Sequence, residues 1–304
     1  MTDYKKIIKN RNLRIKLVRL FDFLPDDFIV KLQYHIKTGN TLSLTNPKRY
    51  TEKLQWYKLF YRDSLMEKCV DKYLVRDYLT EKGYASILNS IIGIYDNASE
   101  IDFNLLPNKF VIKDTLGSGG SSVIICTRKD DFDWNKVTRE LNRWTNTKWG
   151  KHPGREWVYD NKKHRIIIES YIESEKENGG LIDYKFFCFN GKVSYIYGIS
   201  DRNPGKGACL GIYDSSFVLL PYQRVDEKPL NRVITRPNNF NEMINIAENL
   251  SIPFPHARID LYNQNEKILF SEITFFDGSG YMTFHPDEFD KVLGDCFILP
   301  ERNL

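Results

Sequence analysis

The sequence contains few cysteines, and their spacing argues against the usual cysteine-based sites. Only five cysteines occur in 304 residues, and the closest pair, Cys188 and Cys209, is 21 positions apart. Zinc sites and CxxC redox motifs need closely spaced cysteines, and a disulfide framework is typical of short secreted chains with an even number of them. We therefore expect a reduced, cytoplasmic protein in which Cys126 and Cys188, each within an apolar run, belong to the core.

Long apolar runs and a strong charge excess are also missing. No run approaches the roughly 18 apolar residues of a membrane-spanning helix, and the first 23 residues, which are basic throughout, lack the apolar core of a signal peptide. The 44 Lys and Arg against 40 Asp and Glu leave a net charge of +4, too small to indicate a dedicated nucleic-acid-binding protein. With 41% apolar and 14% aromatic residues, the chain is expected to fold.

Basic and apolar residues alternate near the N-terminus. The first ~65 residues show a helical pattern with short breaks. Within them, residues 5–19 mix Lys and Arg with Ile, Leu and Val. A solvated basic helix packed on the protein is the commoner interpretation of such a segment. The alternative is a helix that lies on an anionic membrane surface.

The pattern changes from helical to strand-like near residue 110. Before it, we predict a helix from Glu67 to Lys82 that ends before a glycine, with Lys72 and Arg76 on one face. After it, strands are predicted for FVIKDT, VIIC, RIIIESYI and the hairpin IDYKFFCF–NG–KVSYIYGIS, in which Asn-Gly favours a tight turn. A helix over 241–250 and a last hairpin complete an α+β fold.

The loop GSGGSS at residues 117–122 is the first candidate site. Its glycines would let backbone N–H groups surround an anion, and Lys113 precedes it by four residues. The Walker A and G-x-G-x-x-G motifs are absent, and the glycine loop follows its lysine, the reverse of the protein-kinase order. A flexible hairpin loop is the commoner role of such a segment, so the loop alone leaves phosphate binding open.

The last hairpin, HARIDLY–NQNE–KILFSEITFF, is the second candidate. Alternation predicts two sets of side chains that each share a face: Arg258, Asp260 and Tyr262 on one strand, and Phe270, Glu272 and Thr274 on the other. A loop centred near Glu266 would set Asp260 opposite Glu272. Two opposed carboxylates within apolar strands need a counter-ion, and Mg²⁺ suits them. The alternative is an exposed face on which both are solvated.

A glycine-rich turn directly after this hairpin is the third candidate. Gly278, Ser279 and Gly280 would present backbone N–H groups close to Glu272. Such an arrangement suits an oxyanion or a carboxylate. A simple turn that ends the strand is an equally good interpretation of these residues alone.

The order of these features resembles the ATP-grasp superfamily. VIKDTLGSGGSSV is similar to its strand–Lys–Gly-rich loop–strand unit, as in D-alanine–D-alanine ligase, and RIDLY…FSEITFFDGSG is similar to the R-x-D…E-x-N-x-x-x-G segment. More narrowly, NPKRYTEKLQWYKLFYRD, DKYLVRDYL and the C-terminal hairpin resemble the TupA-like ATP-grasp family of polysaccharide gene clusters. The resemblance implies an α+β ATP-grasp fold with a helical region over 1–65 and an ATP-grasp domain over 66–304. That domain would consist of a nucleotide-gripping subdomain (107–178) and a metal and catalytic subdomain (179–304).

The resemblance also implies a set of ATP-binding residues. They are Lys72, Lys113, Gly117, Ser118, Gly119, Gly120, Ser121, Glu169, Tyr171, Ile172, Glu173, Asp183 and Lys185. The first two lysines would hold phosphates under the closing loop. Glu169 and the backbone at Tyr171 and Ile172 would bind the adenine. Asp183 is preferred to Glu173 for the ribose, and Lys185 would reach phosphate.

Metal-binding and catalytic residues follow from the same resemblance. The implied Mg²⁺ ligands are Asp260, Glu272 and Thr274, and the implied catalytic residues are Arg258, Lys113, Gly278, Ser279 and Gly280. Thr274 stands where many superfamily members have Asn, so a third ligand there would be weaker or a water. The N-terminal region is shorter and more helical than the usual α/β domain, and the acceptor site is not predicted.

The implied activity is a Mg-ATP-dependent carboxylate–amine ligase that works through an acyl phosphate. The resembled family implies that it amidates a uronic-acid sugar with an amino acid or amine, in capsule, O-antigen or cell-wall polysaccharide synthesis. The expected partners are therefore a small-molecule or glycan carboxylate and an amine, without nucleic acid, and with peripheral contact to the inner membrane face as an option for the basic N-terminus. The alternatives are a glycosyltransferase or sugar kinase of the same pathway and a non-catalytic scaffold.

Overall fold

Two large β-sheets organise the chain, the first within residues 91–170 and the second mainly within residues 183–274. The computed structural model describes residue 13 and residues 17–117, 122–147, 150–173, 180–203 and 207–303. Four residues of the predicted glycine-rich loop, Ser118, Gly119, Gly120 and Ser121, lie outside the described residues, as does most of the basic segment 1–16.

Helices dominate before residue 90 and strands after it. The helices are α1 (Asp26–Thr38), α2 (Tyr50–Phe60), α3 (Ser64–Val70), α4 (Val75–Glu81), α5 (Trp134–Thr145), α6 (Phe240–Ser251) and α7 (Phe289–Cys296). The strands are β1 (Ile91–Tyr95), β2 (Phe110–Asp114), β3 (Val123–Cys126), β4 (Ile166–Ser170), β5 (Asp183–Phe189), β6 (Lys192–Asn203), β7 (Gly207–Asp214), β8 (Gln223–Arg224), β9 (Lys228–Pro229), β10 (His256–Gln264), β11 (Lys267–Thr274) and β12 (Phe284–His285). The predicted α+β class is confirmed.

The first sheet has the antiparallel order β1-β4-β2-β3 and buries one face under α5. Phe110 and Ile112 on β2 form an apolar cluster with Ile166 and Ile168 on β4 and with Leu141 of the helix. Alternate positions of a strand point to opposite faces. The residues between them are therefore directed to the other face of this sheet, which carries the candidate nucleotide-binding side chains.

Strand β1 was not predicted from the sequence. Its five residues, IIGIY, are all half-buried, so they show neither an alternating pattern nor a fully buried run. Gly93 sits under the ring of Tyr95, where a Cβ would overlap the ring. The strand forms because the edge of β4 offers backbone partners from Glu169 to Ile166, a tertiary interaction with no local signal.

The second sheet has the order β11-β10-β5-β6-β7-β9 and is covered on both faces. All seven residues of β5 are buried. Phe186 packs against Phe240 of α6, with ring centroids 6.0 Å apart, and its neighbour Phe187 packs against Tyr50 of α2 at 6.1 Å. The run FFCF is apolar at consecutive positions because helices lie on both sides of this strand.

Both predicted hairpins are confirmed. Asn190 and Gly191 have φ values of 49° and 74°, and Asn265 and Glu266 have φ values of 49° and 66°. Such left-handed pairs are typical of two-residue hairpin turns, whose twist matches that of the strands. The second turn pairs Gln264 with Lys267, and in a regular hairpin this would set Asp260 opposite Ser271. Asp260 lies opposite Glu272, as predicted, because the register shifts by one residue between Leu261 and Asp260.

The predicted face of Phe270, Glu272 and Thr274 is wrong at Phe270. Asp260 pairs with Glu272, but the next residue, Leu261, pairs with Phe270. Ser271 is therefore an extra residue, a β-bulge, and a one-residue insertion turns the following side chains to the opposite face. As a result, Phe270 joins the apolar core, whereas Glu272 stays on the polar face with Asp260.

The single helix predicted from Glu67 to Lys82 is also wrong, because Asp71 divides it into α3 and α4. The Oδ1 atom of Asp71 accepts hydrogen bonds from the N–H groups of Tyr73 at 2.8 Å and Leu74 at 3.0 Å. A side chain that bonds backbone groups two and three residues ahead stops one helix and caps the next. Lys72 consequently lies in a turn and does not share a helix face with Arg76.

Helices α2, α3 and α4 contribute to the main core, and α2 is tied to the end of the described chain. Helix α7, which was not predicted, packs against α2. Asp290 accepts from the backbone N–H of Thr51 at 3.0 Å and from its hydroxyl at 2.7 Å. Gly294 allows this contact, since a Cβ there would overlap the backbone of Lys48 and Tyr50. Helix α2, which also packs on Phe187 of β5, therefore connects α7 to the second sheet.

Cys126 and Cys188 are buried, as predicted. In the part of the chain that the structure describes, every helix falls short of the length and apolar character that crossing a bilayer requires.

We predict an acid-dependent loss of stability that arises from His256. Its Nε2 lies 2.9 Å from the Tyr50 hydroxyl and its Nδ1 lies 2.9 Å from the Cys188 carbonyl oxygen. Burial lowers the pKa of His256 from 6.5 to about 4. Between these values the unfolded chain binds a proton that the folded chain does not, so the free energy of unfolding falls by about 3 kcal/mol as the pH falls from 6.5 to 4.

Urea unfolding at several pH values would measure the contribution of His256 to the pH dependence of the unfolding free energy. His256→Asn should flatten the dependence of the unfolding free energy on pH in that window, whereas the control His285→Asn, at an exposed histidine, should keep the wild-type dependence. Equal slopes for wild type and His256→Asn would contradict the assignment.

Candidate functional site

Several of the predicted nucleotide-binding side chains lie where the uncovered face of the first sheet meets the last hairpin. Lys113 on β2 donates from Nζ to Glu169 Oε2 on β4 at 2.6 Å, and an Nη1 atom of Arg76 lies 3.8 Å from the other oxygen. Burial would lower the pKa of Lys113, but Glu169, Tyr262 and Glu272 raise it. Lys113 is therefore held as a cation. It is also close enough to Tyr262 and Glu272 of the second sheet to interact with them electrostatically.

Lys72 reaches the same region from the turn between α3 and α4. Its backbone N–H donates to the Thr115 carbonyl at 2.9 Å, and its Nζ donates to the Gly117 carbonyl at 2.5 Å. These contacts fix the lysine at the base of the glycine-rich loop. Its charge also lowers the pKa of Glu272, so Lys72 stands between the loop and the hairpin.

On the second sheet, Lys185 bridges two carboxylates. It lies opposite Asp260 in the pairing of β5 with β10, forms an ion pair with it, and lies 2.9 Å from Asp183 Oδ2. Burial would lower the pKa of Lys185, but Asp183 and Asp260 raise it. The predicted ribose ligand Asp183 is only 3% exposed and shares this polar face.

Arg258 is the centre of the site. It donates from Nε and Nη2 to the two oxygens of Asp260, both at 2.7 Å, and it forms a hydrogen bond to Asp277 through Nη1. Its Nη2 also lies 3.2 Å from Glu272 Oε1 and 3.1 Å from the Thr274 hydroxyl. Burial would lower the pKa of Arg258, but Asp260 and Asp277 raise it. Its guanidinium therefore has a fixed position and orientation.

The opposed carboxylates Asp260 and Glu272 differ in environment. Burial would raise the pKa of Glu272, but the charges of Lys72, Lys185 and Arg258 hold it at about 2. Asp260 is fully buried, and burial raises its pKa against the lowering by Arg258 and Lys185. Glu272, whose side chain is 34% exposed, is thus an ionised group at the open side of the pair.

The oxygen donors of the site fit a Mg²⁺ ion whose coordination is completed by a bound ligand. Within the described residues, no group of three or more His, Cys, Asp or Glu side chains is arranged to hold a metal ion. Asp260, Glu272 and the Thr274 hydroxyl nevertheless supply hard oxygen donors on adjacent strands. Mg²⁺ is commonly bound by one or two carboxylates together with phosphate oxygens and water. The residues present therefore suit a magnesium ion bound together with a nucleotide.

The Gly278–Gly280 turn is docked on α2. Gln55 Nε2 donates to the carbonyls of Ser279 at 3.0 Å and Gly280 at 2.7 Å, and the buried Lys58 donates to the Ser279 carbonyl at 2.9 Å. Gly278, Ser279 and Gly280 have φ values of 49°, 56° and 68°, a conformation that glycine adopts most readily. The position of the turn beside Arg258 is therefore set by α2.

Asp277 and Arg224 were missed from the sequence. Asp277 is 2% exposed and binds Arg258 as well as Arg224, whose Nη1 lies 3.4 Å away. Burial would raise the pKa of Asp277, but the two arginines lower it. The aspartate directly precedes the glycine-rich turn, which was a usable signal. Arg224 lies on a two-residue strand in an irregular segment, so nothing local marks it.

The segment after β4, predicted to hold adenine and ribose, is joined to the second sheet. Gln264 at the end of β10 donates to the carbonyl of Glu173. The side chain of Glu173 is exposed and pairs with Lys109 at 2.5 Å, and the Lys109 Nζ lies 5.9 Å from the ring centre of Tyr171. These contacts involve the start of the segment, at Tyr171 and Glu173, and the adenine-binding role of Glu169, Tyr171 and Ile172 stays a prediction.

The fold and this arrangement agree with one protein family. The model of the TupA-like ATPgrasp family matches residues 52–298. The chain belongs to the TupA-like ATPgrasp family. The resemblance inferred from the sequence is thereby confirmed, and the α+β fold is the ATP-grasp fold. No curated protein is a significant match.

Solved structures similar to this TupA-like chain are named as ligases. D-alanine–D-alanine ligase from Bacillus anthracis is 17% identical over 74% of this chain and 59% of that chain, with a TM-score of 0.41. The Helicobacter pylori enzyme of the same name is 12% identical over 83% and 70%, with a TM-score of 0.42. Phosphoribosylamine–glycine ligase from Thermotoga maritima is 10% identical over 69% and 48%, with a TM-score of 0.42. The TupA-like chain thus spans about half to 70% of the length of these ligases.

We predict that Asp277 stabilises the TupA-like site by separating two buried arginines. Asp277→Asn keeps the shape of the side chain but leaves Arg224 and Arg258 without the charge between them. Breaking a buried ion pair by removing one partner costs about 3–5 kcal/mol. Urea unfolding should show a loss of that size, and Arg224→Met combined with Asp277→Asn should cost less than the sum of the two single changes.

Asp287→Asn is the matched control for this prediction. Asp287 also pairs with an arginine, Arg49 at 2.7 Å, but its side chain is 64% exposed. An exposed pair contributes roughly 0–1 kcal/mol. A cost below about 1 kcal/mol for Asp277→Asn as well would contradict the buried-bridge assignment.

Proposed function

We propose that this protein is a Mg-ATP-dependent carboxylate–amine ligase that forms an amide through an acyl phosphate. The observation that carries the proposal is the group of Arg258, Asp260 and Glu272 on one sheet, facing Lys113 and Lys72 from the other side of the site. Membership in the TupA-like ATPgrasp family supports the nucleotide. The roles below follow from the charges and positions of these side chains.

Cations on both sides of the site would bind the ATP phosphates. Lys72, Lys113 and Lys185 each hold a fixed position through a carbonyl or carboxylate partner. Charge neutralisation and in-line positioning supply most of the catalysis in phosphoryl transfer. The lysines would therefore orient the γ-phosphoryl group toward a substrate carboxylate, whose attack would give an acyl phosphate and ADP.

Asp260 and Glu272 would bind the magnesium ion, with Thr274 as a weaker or water-mediated third ligand. When bound, Mg²⁺ would neutralise charge on the phosphate oxygens. Because the pKa of Glu272 is held at about 2, this carboxylate is available as a ligand at neutral pH. The Arg258 guanidinium would meanwhile keep Asp260 in place.

Arg258 and the backbone N–H groups of Gly278 and Gly280 would serve the second step. The N–H group of Ser279, which the sequence also predicted for this role, instead donates to the Phe276 carbonyl at 2.9 Å. An amine attacks the acyl carbon, the C–N bond forms, and the bond to the phosphate oxygen breaks as phosphate leaves. A preorganised cation and backbone N–H groups stabilise the developing oxyanion because they need no reorientation. The docking of the turn on Gln55 and Lys58 supports such rigidity.

For the substrates, we propose a uronic-acid sugar as the carboxylate and an amino acid or amine as the acceptor. The setting would be the synthesis of capsule, O-antigen or cell-wall polysaccharide in the cytoplasm. This part of the proposal is supported by the sequence resemblance to a family of polysaccharide gene clusters.

The first test is thermal unfolding with and without Mg-ATP. Ligand at 100 times its Kd stabilises the folded state by about 2.7 kcal/mol, on the order of 5–10 °C for a chain of this size. Lys113→Ala should lose this magnesium-dependent rise. Lys192→Ala, at an exposed lysine on β6 of the second sheet, should retain it. No rise in the well-folded wild-type protein would contradict the nucleotide site and favour the scaffold alternative.

A second test concerns turnover. Glu272→Gln removes the charge at the open side of the metal site and should lower the release of ADP by roughly two orders of magnitude or more. Glu266→Gln, in the turn of the same hairpin, should leave the release of ADP unchanged. Wild-type turnover in Glu272→Gln would contradict the metal assignment. ADP release that needs a sugar but no amine, with a phosphorylated sugar as product, would show a kinase instead of a ligase.

A further inference from the structure

A buried carboxylate lies against the Gly278–Gly280 turn. Glu156 is 6% exposed, and its Oε1 atom accepts a hydrogen bond from the Ser279 hydroxyl. It directly precedes a short 3-10 helix, Trp157–Tyr159. None of the roles proposed for the ligase reaction uses this carboxylate, although it contacts the turn that would stabilise the oxyanion.

The surroundings of Glu156 are short of positive charge. The buried Lys58 interacts with it electrostatically, but the Nζ atom of Lys58 donates to the carbonyls of Gly154 and Ser279, both at 2.9 Å. His152 Nδ1 lies 3.8 Å from Glu156 Oε1, and it accepts from the Gly154 N–H at 3.3 Å, so this ring nitrogen carries no proton. Within the described residues, no Lys or Arg forms an ion pair with Glu156. Buried carboxylates are normally paired with a cation, so this environment suits a cationic ligand.

Two oxygen atoms of this segment are open to a ligand. Glu156 Oε1 makes the contacts to Ser279 and His152. Its other oxygen, Oε2, has no hydrogen-bond donor among the described residues and is not sealed from solvent. The same is true of the hydroxyl of the half-buried Tyr159. Because a partly buried polar group gains from a hydrogen-bonding partner, both oxygens are suited to accept from a ligand.

Tyr159 connects this carboxylate to the catalytic hairpin. Burial raises the pKa of the Tyr159 hydroxyl, and the charges of Glu156 and Glu272 raise it further. The charge of Arg258 lowers it. The phenol is therefore within electrostatic range of the buried carboxylate and of the proposed centre of acyl transfer, so both border the same part of the site.

The segment that carries Glu156 and Tyr159 is firmly packed. Val158, between them, has no exposure and belongs to the main core. A Cβ atom on Gly154 would lie 2.9 Å from Glu156 Oε1 and 3.2 Å from Ser279 Oγ. Glycine at this position thus lets the carboxylate approach the turn, and the carboxylate is held in place before any ligand binds.

We propose that Glu156 and Tyr159 form a subsite that binds the ammonium group of the acceptor, beside the turn at which the amide would form. This inference rests on the proposed ligase function and adds to it the position and the charge of the amine. An ammonium group donates three hydrogen bonds, and the carboxylate and phenol oxygens would accept two of them. Because a hydrogen bond between charged groups is roughly twice as strong as a neutral one, the subsite would favour a protonated primary amine over an uncharged group.

Ligand-observed NMR titration of the full chain with Mg-ADP tests the subsite without any turnover. The probe is glycinamide, whose amino group is largely protonated at neutral pH, and N-acetylglycinamide is the uncharged comparison. Wild-type protein should bind glycinamide more tightly by a factor of roughly ten or more. Equal affinity for the two probes, or no binding of glycinamide, would overturn the proposal.

Isosteric substitutions assign the binding to these two side chains. Glu156→Gln removes the charge but keeps an oxygen that can accept from Ser279, and it should weaken glycinamide binding roughly tenfold or more. Tyr159→Phe should weaken it by a smaller factor, about two to five. Glu248→Gln is the control, at a glutamate that pairs with Lys192 at 2.7 Å elsewhere on the protein, and it should bind glycinamide like wild type. Unchanged glycinamide binding by Glu156→Gln would overturn the assignment.

Thermal unfolding separates this inference from the ligase proposal. The rise in stability with Mg-ATP reports on the nucleotide site alone. Its absence in wild type would contradict the ligase proposal itself. Its presence, together with probe binding that does not depend on charge, would contradict only the ammonium subsite.

Urea unfolding separates ligand binding from a structural role of the carboxylate. Glu156→Gln should unfold at the same urea concentration as wild type, because the ligand-free protein gives Glu156 no Lys or Arg ion pair within the described residues. A large loss of stability would show that the charge of Glu156 serves Lys58 and the core, and it would overturn the subsite.

Discussion

The buried Arg258 guanidinium is the interaction on which the rest of the site depends. A cation in the interior of a protein is tolerated only when carboxylates and hydrogen-bond acceptors surround it. Here Asp260 supplies two oxygens from the same strand, Glu272 and Thr274 contribute from β11, and Asp277 contributes from the following turn. One side chain thereby fixes the register of the hairpin, the position of the turn and the orientation of the proposed metal ligands.

The charges of the site are arranged as exchangeable pairs. Lys113 is paired with Glu169, and Lys185 is paired with Asp183 and Asp260. The cations are thus held close to their proposed working positions, and a phosphate could take over some of the contacts that the carboxylates now make. Such preorganisation lowers the ordering cost of ligand binding.

The sequence predicted those parts of the structure that local patterns encode. The alternation in RIDLY placed Arg258 and Asp260 on one face, and the predicted loop centre near Glu266 placed Asp260 opposite Glu272. The turn lies at Asn265 and Glu266, so this pairing holds only because a bulge shifts the register by one residue. The bulge at Ser271 was not predictable, because an extra residue in a strand has no composition of its own. The break at Asp71 was missed because the apolar stripe continues across it. Asp277 and Arg224 show the same limit: they lie 53 residues apart in the sequence, and only the folded chain brings them together.

The contact between α2 and α7 has a consequence for the order in which the protein folds. Thr51 and Tyr50 lie near the beginning of the chain, but the residues that complete their environment, Asp290 and Phe297, lie near residue 300. During synthesis α2 therefore cannot complete its packing until the chain past residue 290 has been made. Contacts that join such distant segments slow folding and leave apolar surface exposed in the meantime. The packing of α2 and α7 together over the second sheet is thus expected to be one of the last steps of folding.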